Sequence, residues 1–426
     1  MRNLSIVFIF LLLIPASGFC AGMPDENQPL TLEGCYQLAL KQSELIAIDA
    51  ERIKEAEAHF LEVLGAIMPQ VSFSRTQTWQ DPGSQQSSGG TPFFSKTFEQ
   101  KFVFTQVLFS GFKEFAGMAG GHFEKNQRKN EKLRAEQLLF VDVSDAFYLL
   151  METREDLKVL ETISKAFTDR MDELKARVDI GKSRMSEVVS TETQLYSILD
   201  EIETVKNQEQ VVRELLEFLV GRPINKIADY GLKFTLKSES EYLAKATSRS
   251  DVTAAHFAWK VDKEQVTIAK SGFLPTISLG GDYFNHRSSA PEDSKWDAML
   301  TINFPIFEGT TTYGFVKEAK AKAKESELTF QRSQRLAAQD IHDAYVNIQA
   351  DIARSTILDK ALHSAELNYK LQREDYDKNV VNNLDVLAAI QNLENIRRSY
   401  FHIFYESKRF YWQLLVATGD IDTVSD

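Results

Sequence analysis

Seven histidines, two cysteines and 61 carboxylates are spread along 426 residues, and the first question is whether any of them gather. The histidines show no metal-ligand spacing, and no glycine-rich phosphate loop follows a strand-like stretch. Cys20 and Cys35 both precede residue 36, so no disulfide framework is expected, and Cys35 reads as a small buried helix residue. The carboxylates recur at helical-surface spacing beside Lys and Arg, the pattern of solvated helix faces. Phe140, Phe147 and Tyr148 read as packing rather than a substrate path. These spacings predict no catalytic centre, no metal site and no cofactor. A formal net charge of −12, with both signs mixed along the chain, argues against a nucleic-acid partner, which would require a basic stripe.

With chemistry unpromising, the elements carry the information, and they are written twice. Val107-Leu108-Phe109-Ser110-Gly111 closes a strand-like stretch and opens a long helical run; Pro305-Ile306-Phe307-Glu308-Gly309 does so again 198 residues later. The interruption at Ile180-Gly181 recurs at the same offset as Lys378-Asn379. All ten prolines lie outside 93–222 and 306–426. Gly181 is the single glycine between Gly121 and Gly221, and none lies between Gly314 and Gly419. Both tracts therefore read as very long helices.

Their apolar residues repeat at 3-4-3-4 spacing, as in Val143, Ala146, Leu150, Leu157, Leu160, Phe167, Met171, Leu174 and Val178 with gaps at Thr153 and Ser164, and again in Ile341, Ala344, Ile348, Leu358, Leu362, Ala365, Tyr369 and Tyr376, broken at Asp351, Ser355 and Gln372. Such a repeat makes helices supercoil about neighbours. Each outgoing helix of about 70 residues would span roughly 105 Å and return over about 35. The helical segments before each strand pair would stack end to end on the return helix and complete its row.

Between the helices lie strands. Trp296, Ala298, Leu300, Ile302, Phe304 and Ile306 alternate with Asp297, Met299, Thr301, Asn303 and Pro305; Ile277, Leu279, Gly281 and Tyr283 alternate with polar or small residues. In the first copy Val71, Phe73 and Trp79 oppose Ser72, Ser74, Thr76 and Thr78, with Arg75 out of place on the apolar side, and Phe98, Phe102, Phe104 and Leu108 are spaced for one side of the partner strand. An outer-membrane barrel strand needs this alternation. A half-buried strand of a soluble sandwich shows it too, so periodicity alone leaves both open.

The expected organisation is a signal peptide over 1–21, a first repeat over 22–220, a linker over 221–240, a second repeat over 241–419 and a tail over 420–426. The first repeat holds a helix over 32–66, strands over 71–80 and 98–109, and helices over 112–180 and 184–220. The second holds a helix over 241–271, strands over 277–286 and 295–307, and helices over 310–378 and 383–418. Arg2, the apolar run 6–14 and the small residues Ala16-Ser17-Gly18 make the export signal; cleavage after Ala21 is a second option, and lipidation at Cys20 is disfavoured by bulky Phe19. No later segment is apolar enough for a membrane helix. Four strands cannot close a membrane barrel, so closure predicts several chains; three give twelve strands and twelve helix rows, a conduit about a central axis.

The chain resembles the TolC-like outer-membrane efflux protein family over essentially its whole mature length. The resemblance is carried by Leu30-Thr31-Leu32-Glu33 through Ala39-Leu40, by Met68-Pro69 and Leu274-Pro275, by Phe304-Pro305-Ile306-Phe307-Glu308-Gly309, by Leu384-Asp385-Val386-Leu387 and by Val416-Ala417-Thr418-Gly419, in that duplicated order. It implies a mainly α fold with a β-barrel portion, assembled as a homotrimer in the outer membrane of a Gram-negative-type bacterium, with most of the chain in the periplasm. The partners it implies are a periplasmic adaptor, an inner-membrane transporter and outer-membrane lipid. The activity is export without chemistry, as tripartite efflux or type I secretion.

By the same resemblance the helix-reversal tips close the periplasmic mouth and meet the adaptor. Asp385 matches an acidic constriction position, where threefold symmetry would make a carboxylate ring, and Tyr376 an aromatic of the closed state. A second acidic position falls on Ala388 and a basic one on Val381, so only part of that pattern is present. The competing reading of Asp385 is a solvated helix-start residue favoured by the helix dipole. Gly181, Lys182, Ser183, Arg184, Asn379, Val381 and Asn382 are the docking-tip candidates, with Gly181 also a turn former. Gly111, Gly309, Pro69, Pro275 and Pro305 are candidate barrel–tunnel hinges. The competing class is a secreted or surface-exposed coiled-coil structural or adhesion protein without a pore, which explains the helices but not the duplicated amphipathic strands.

Overall fold

The computed structural model describes residues 29–79, 96–229, 231, 234–287 and 294–420. The expected signal peptide over 1–21, Cys20, the 81–90 loop and all of the tail beyond Asp420 lie outside the described residues.

The chain opens with α1 (Leu32–Gln42) and α2 (Glu44–Ile67), two helices where a single one over 32–66 is expected. Ser43 separates them: its backbone is extended, and its Oγ accepts from the Ile46 N–H, which starts a new helix. Then follow β1 (Gln70–Trp79), β2 (Lys96–Ser110), α3 (Lys113–Asp179) and α4 (Met185–Val220). The second half runs α5 (Glu239–Leu243), α6 (Ser250–Lys270), β3 (Thr276–His286), β4 (Trp296–Asn303), α7 (Thr311–Asp377) and α8 (Asn383–Thr418). The helix expected over 241–271 is broken because Arg249 takes an extended ψ of 143°, its buried guanidinium held by Asp251 and by Asp340 of α7. The strand expected over 295–307 stops at Asn303, two residues before Pro305, which has no N–H for the ladder.

α3 and α7 each contain 67 residues, and α4 and α8 each contain 36. At 1.5 Å per residue the long helices reach about 100 Å. α3 packs on α2, α4, α6 and α8, while α7 packs on α6 and α8. In one half of the molecule the rows run α2–α3–α6–α7, and in the other α4–α3–α8–α7. The 3-4-3-4 positions make the seams: Val143 and Leu150 are fully buried in one core, and Leu160, Phe167 and Leu174 in a second that they share with Val188, Ile198, Ile202 and Val205 of α4. Cys35 is buried too, and burial pushes its thiol up to about 12, so it is unreactive.

The strands form one antiparallel sheet in the order β1-β2-β3-β4, so β2–β3 pairing joins the two copies. Register places Phe73, Phe102, Tyr283 and Trp296 across one face, and Ser72, Val103, Asp282 and Asp297 across the other. The ladder shifts register between Val107 and Phe109, leaving Leu108 as a bulge. Arg75, the charge on the apolar face, lies 4.8 Å from the Phe98 ring centroid as a cation–π contact. The apolar face is uncovered: Val71, Phe73, Trp79, Phe102, Trp296, Leu300 and Ile302 are all exposed. The opposite face carries the Lys101–Asp282 ion pair, 2.6 Å.

Candidate functional site at the helix-reversal tips

Both long helices end in the same way. At the first tip the N–H groups of Gly181 and Lys182 donate to Val178 and Arg177; at the second those of Asn379 and Val380 donate to Tyr376 and Asp375. The paired bonds close the helix around one left-handed residue. Gly181 adopts it at φ 69° and Asn379 at φ 59°, asparagine being the side chain that best tolerates this region after glycine.

The return helices start differently. Asn382 caps α8, its Oδ1 accepting from the N–H groups of Leu384 and Asp385 while Asp385 Oδ2 accepts from the Asn382 N–H at 3.0 Å. Asp385 is exposed, but one of its oxygens serves this capping box. Arg184, at the equivalent place on α4, makes no side-chain cap, and the nearby polar contact is Ser183 Oγ donating to Glu187 at 2.7 Å.

Tyr376 is buried near the end of α7. Arg170 and Arg177 of α3 lie 3.6 Å and 4.5 Å from its ring centroid, and its hydroxyl donates to Glu187 of α4 at 3.4 Å. Arg170 is itself buried; it donates to Asn383 Oδ1 on α8 at 3.0 Å, and Asn383 Nδ2 donates to Thr191 on α4 at 3.2 Å. Arg170, Tyr376, Asn383 and Thr191 thus tie all four helices at one level. Of the expected tip residues, Tyr376 belongs to this network and Asn382 and Asp385 adjoin it. Gly181, Lys182, Arg184, Asn379 and Asn382 are exposed, whereas Val381 tucks against the apolar core of the tip. Arg170, Thr191 and Asn383 were not singled out from sequence. A signal existed for Arg170, which stands three residues after Phe167 and four before Leu174 and so shares their buried face. Ile180, Met185, Val380 and Leu384 are exposed on the same tips.

At the other end, Gly111 has φ 67° and is followed by Phe112, also left-handed at 67°. A Cβ on Gly111 would stand 2.8 Å from the Ser271 carbonyl oxygen, so the strand-to-helix corner there requires glycine. Gly309 repeats the conformation at φ 65° in open space. Pro69 separates α2 from β1, Pro275 precedes β3 and Pro305 follows β4.

Among the described residues no group of three or more His, Cys, Asp or Glu side chains could hold a metal, and no helix is long and apolar enough to cross a membrane. A duplicated strand pair with one uncovered apolar face, continued by helices about 100 Å long, defines the class of outer-membrane channel proteins with helical extensions. Comparison with known proteins places the chain within that class. Residues 244–419 match the family model described as outer membrane efflux protein. The chain is 20% identical to outer membrane protein TolC of Vibrio cholerae over 393 residues, covering 89% of this chain and 88% of the relative. It is 22% identical to the protein of that name from Salmonella enteritidis over 413 residues, 89% of this chain and 81% of the relative. Among solved structures, VceC of Vibrio cholerae superposes with a TM-score of 0.82 at 19% identity, covering 91% of this chain and 96% of that one. The CmeC channel of Campylobacter jejuni superposes at 0.81 with 17% identity, covering 91% and 85%. Over its length the chain resembles the TolC-like outer-membrane efflux proteins. The class of function these findings support is that of an outer-membrane efflux channel.

Proposed function

We propose that three copies of this chain form a channel-tunnel, with twelve strands closing a barrel in the outer membrane and twelve helix rows enclosing a periplasmic conduit. The observation that carries this reading is the pair of open edges. β1 and β4 each lack a second neighbour, and an unpaired strand edge is not tolerated in lipid. The helix layer is open at the same two sides, with α2 and α4 on one and α7 on the other. One operation that pairs β1 with β4 of a second copy also covers both helix edges, and three copies close the ring.

In this assembly the tips form the periplasmic mouth. A periplasmic adaptor docks on the exposed tip residues Lys182, Arg184, Asn379 and Asn382, and an inner-membrane transporter supplies the energy. Asp385 from three copies places carboxylates around the axis, each retaining one oxygen beyond its capping role. Tyr376 acts from inside the wall by holding α7 against α3 and α4. Gly111 and Gly309, with Pro69, Pro275 and Pro305, set the corners between barrel and tunnel.

Reconstitution into planar bilayers tests the pore, with ion conductance expected and a silent membrane overturning it. A photo-crosslinking residue at exposed Val380 in living cells tests the docking. Capture of a periplasmic adaptor supports the tip assignment, and capture of extracellular proteins contradicts the orientation.

A further inference from the structure

The two hairpins, α3/α4 and α7/α8, meet where α8 lies against α3 and α4, and this seam carries a series of polar ties. From the tip upward these include Asn383–Thr191, Gln391–Gln194 at 2.6 Å, Arg398–Asp156 at 2.5 Å and Gln413–Asp145 at 3.0 Å. Most of these pair partners of matching capacity. One does not. Arg398 of α8 faces Asp156 of α3, Glu201 of α4 and Glu394 of its own helix, one guanidinium among three carboxylates. Glu201 and Glu394 both address the same nitrogen, Nη1, with Glu201 in close contact and Glu394 at 3.6 Å. Glu394 is buried, and among the described residues no other cation pairs with it.

We propose that this junction is a proton-responsive seam: Glu394 takes up a proton, and its protonation draws the second hairpin onto the first. With Glu394 ionised, one delocalised positive charge faces three negative ones across three helices, and the excess repulsion pushes α8 from α4. With Glu394 protonated, the carboxyl can donate its O–H to the Glu201 carboxylate beside it, and repulsion becomes a tie. Burial, followed by the charge of Glu201 and that of Asp156, raises the affinity of Glu394 for a proton above that of an ordinary glutamate, and Arg398 offsets only part of this. The remaining charges nearby are engaged elsewhere: Arg397 pairs with Glu366 of α7, and His402, one turn on, with Glu152 of α3.

The sign follows from linkage. A carboxyl with a raised folded-state affinity adds stability that is complete below the ordinary glutamate value of 4.5 and is lost as pH rises through the raised value. The seam is therefore tightest in acid and loosens toward neutrality, independently of whether the assembly conducts.

Spin labels at exposed Ser197 of α4 and exposed Asn392 of α8, in the full chain in detergent, report the hairpin separation by electron–electron dipolar spectroscopy. The distance distribution is expected to shorten and narrow between about pH 8 and pH 4. Glu394→Gln should be narrow at both values, and Glu366→Gln, at the neighbouring exposed ion pair, should respond like the parent. Glu201→Gln removes the like charge and should move the transition to lower pH. A parent distribution that does not change, or a Glu394→Gln protein that still responds, overturns the proposal.

Discussion

α3 and α7 have the same length and occupy the same place in the repeat, yet they live in different surroundings. α3 is an inner row with neighbours on both sides, and α7 is an edge. Positions 198 residues apart show the consequence. Val159 of α3 is 5% exposed and its counterpart Ile357 is 66% exposed; Tyr148 is 1% exposed and Val346 is 46% exposed. In the return helices the roles reverse, with α4 at the edge and α8 inside. Duplication thus sets helix length, reversal geometry and apolar period, while the row a helix occupies decides which apolar residues find partners within one chain. The residues left uncovered on α7 and α4, such as Ile357, Leu371, Tyr196 and Phe218, mark the surfaces that the proposed assembly covers.

Paired substitutions at equivalent positions break or sharpen this contrast. The largest difference is expected for aspartate at Val159 and Ile357. Val159→Asp buries an unpaired charge and should cost about 4 kcal/mol, seen as loss of cooperative unfolding by circular dichroism. Ile357→Asp should leave the protomer helical but abolish self-association in sedimentation velocity.

The sequence made the contrast visible only in part. The mainly helical architecture with a small sheet follows from the absence of proline and glycine in the long tracts and from period-two alternation around Trp296 and Ile302. Rows are not legible, because the same 3-4-3-4 pattern serves a helix with two neighbours or with one, and Ile357 reads no differently from Val159. Nor does the pattern reveal breaks made by single side chains, such as Ser43 between α1 and α2 or Arg249 before α6. At the tips the turns announced themselves at Gly181 and Asn379. The Arg170–Asn383–Thr191 chain did not, since it depends on the axial alignment of three helices.

The next contrast is at that chain. Arg170→Ala should cost about 2–3 kcal/mol by leaving Asn383 without its donor and Tyr376 without a stacking partner. Its counterpart Asn368 is exposed, and Asn368→Ala should fall within about 0.5 kcal/mol of the parent in denaturant unfolding. Smaller again is the cap: Asn382→Ala should cost about 1 kcal/mol and speed amide exchange in the first turn of α8, whereas Arg184→Ala, at the uncapped equivalent, should change neither. The smallest effect is expected at the left-handed residues. Asn379→Gly should alter stability by no more than about 0.5 kcal/mol, and Gly181→Ala should cost about 1 kcal/mol, both read from thermal midpoints.

The central claim is that the edge rows and edge strands of one chain are completed by further copies of it. Native mass spectrometry of the full-length protein released from detergent micelles tests this most directly. The account predicts a complex of three chains that Ile357→Asp reduces to one; a parent protein that flies as a single chain with its sheet intact would contradict it.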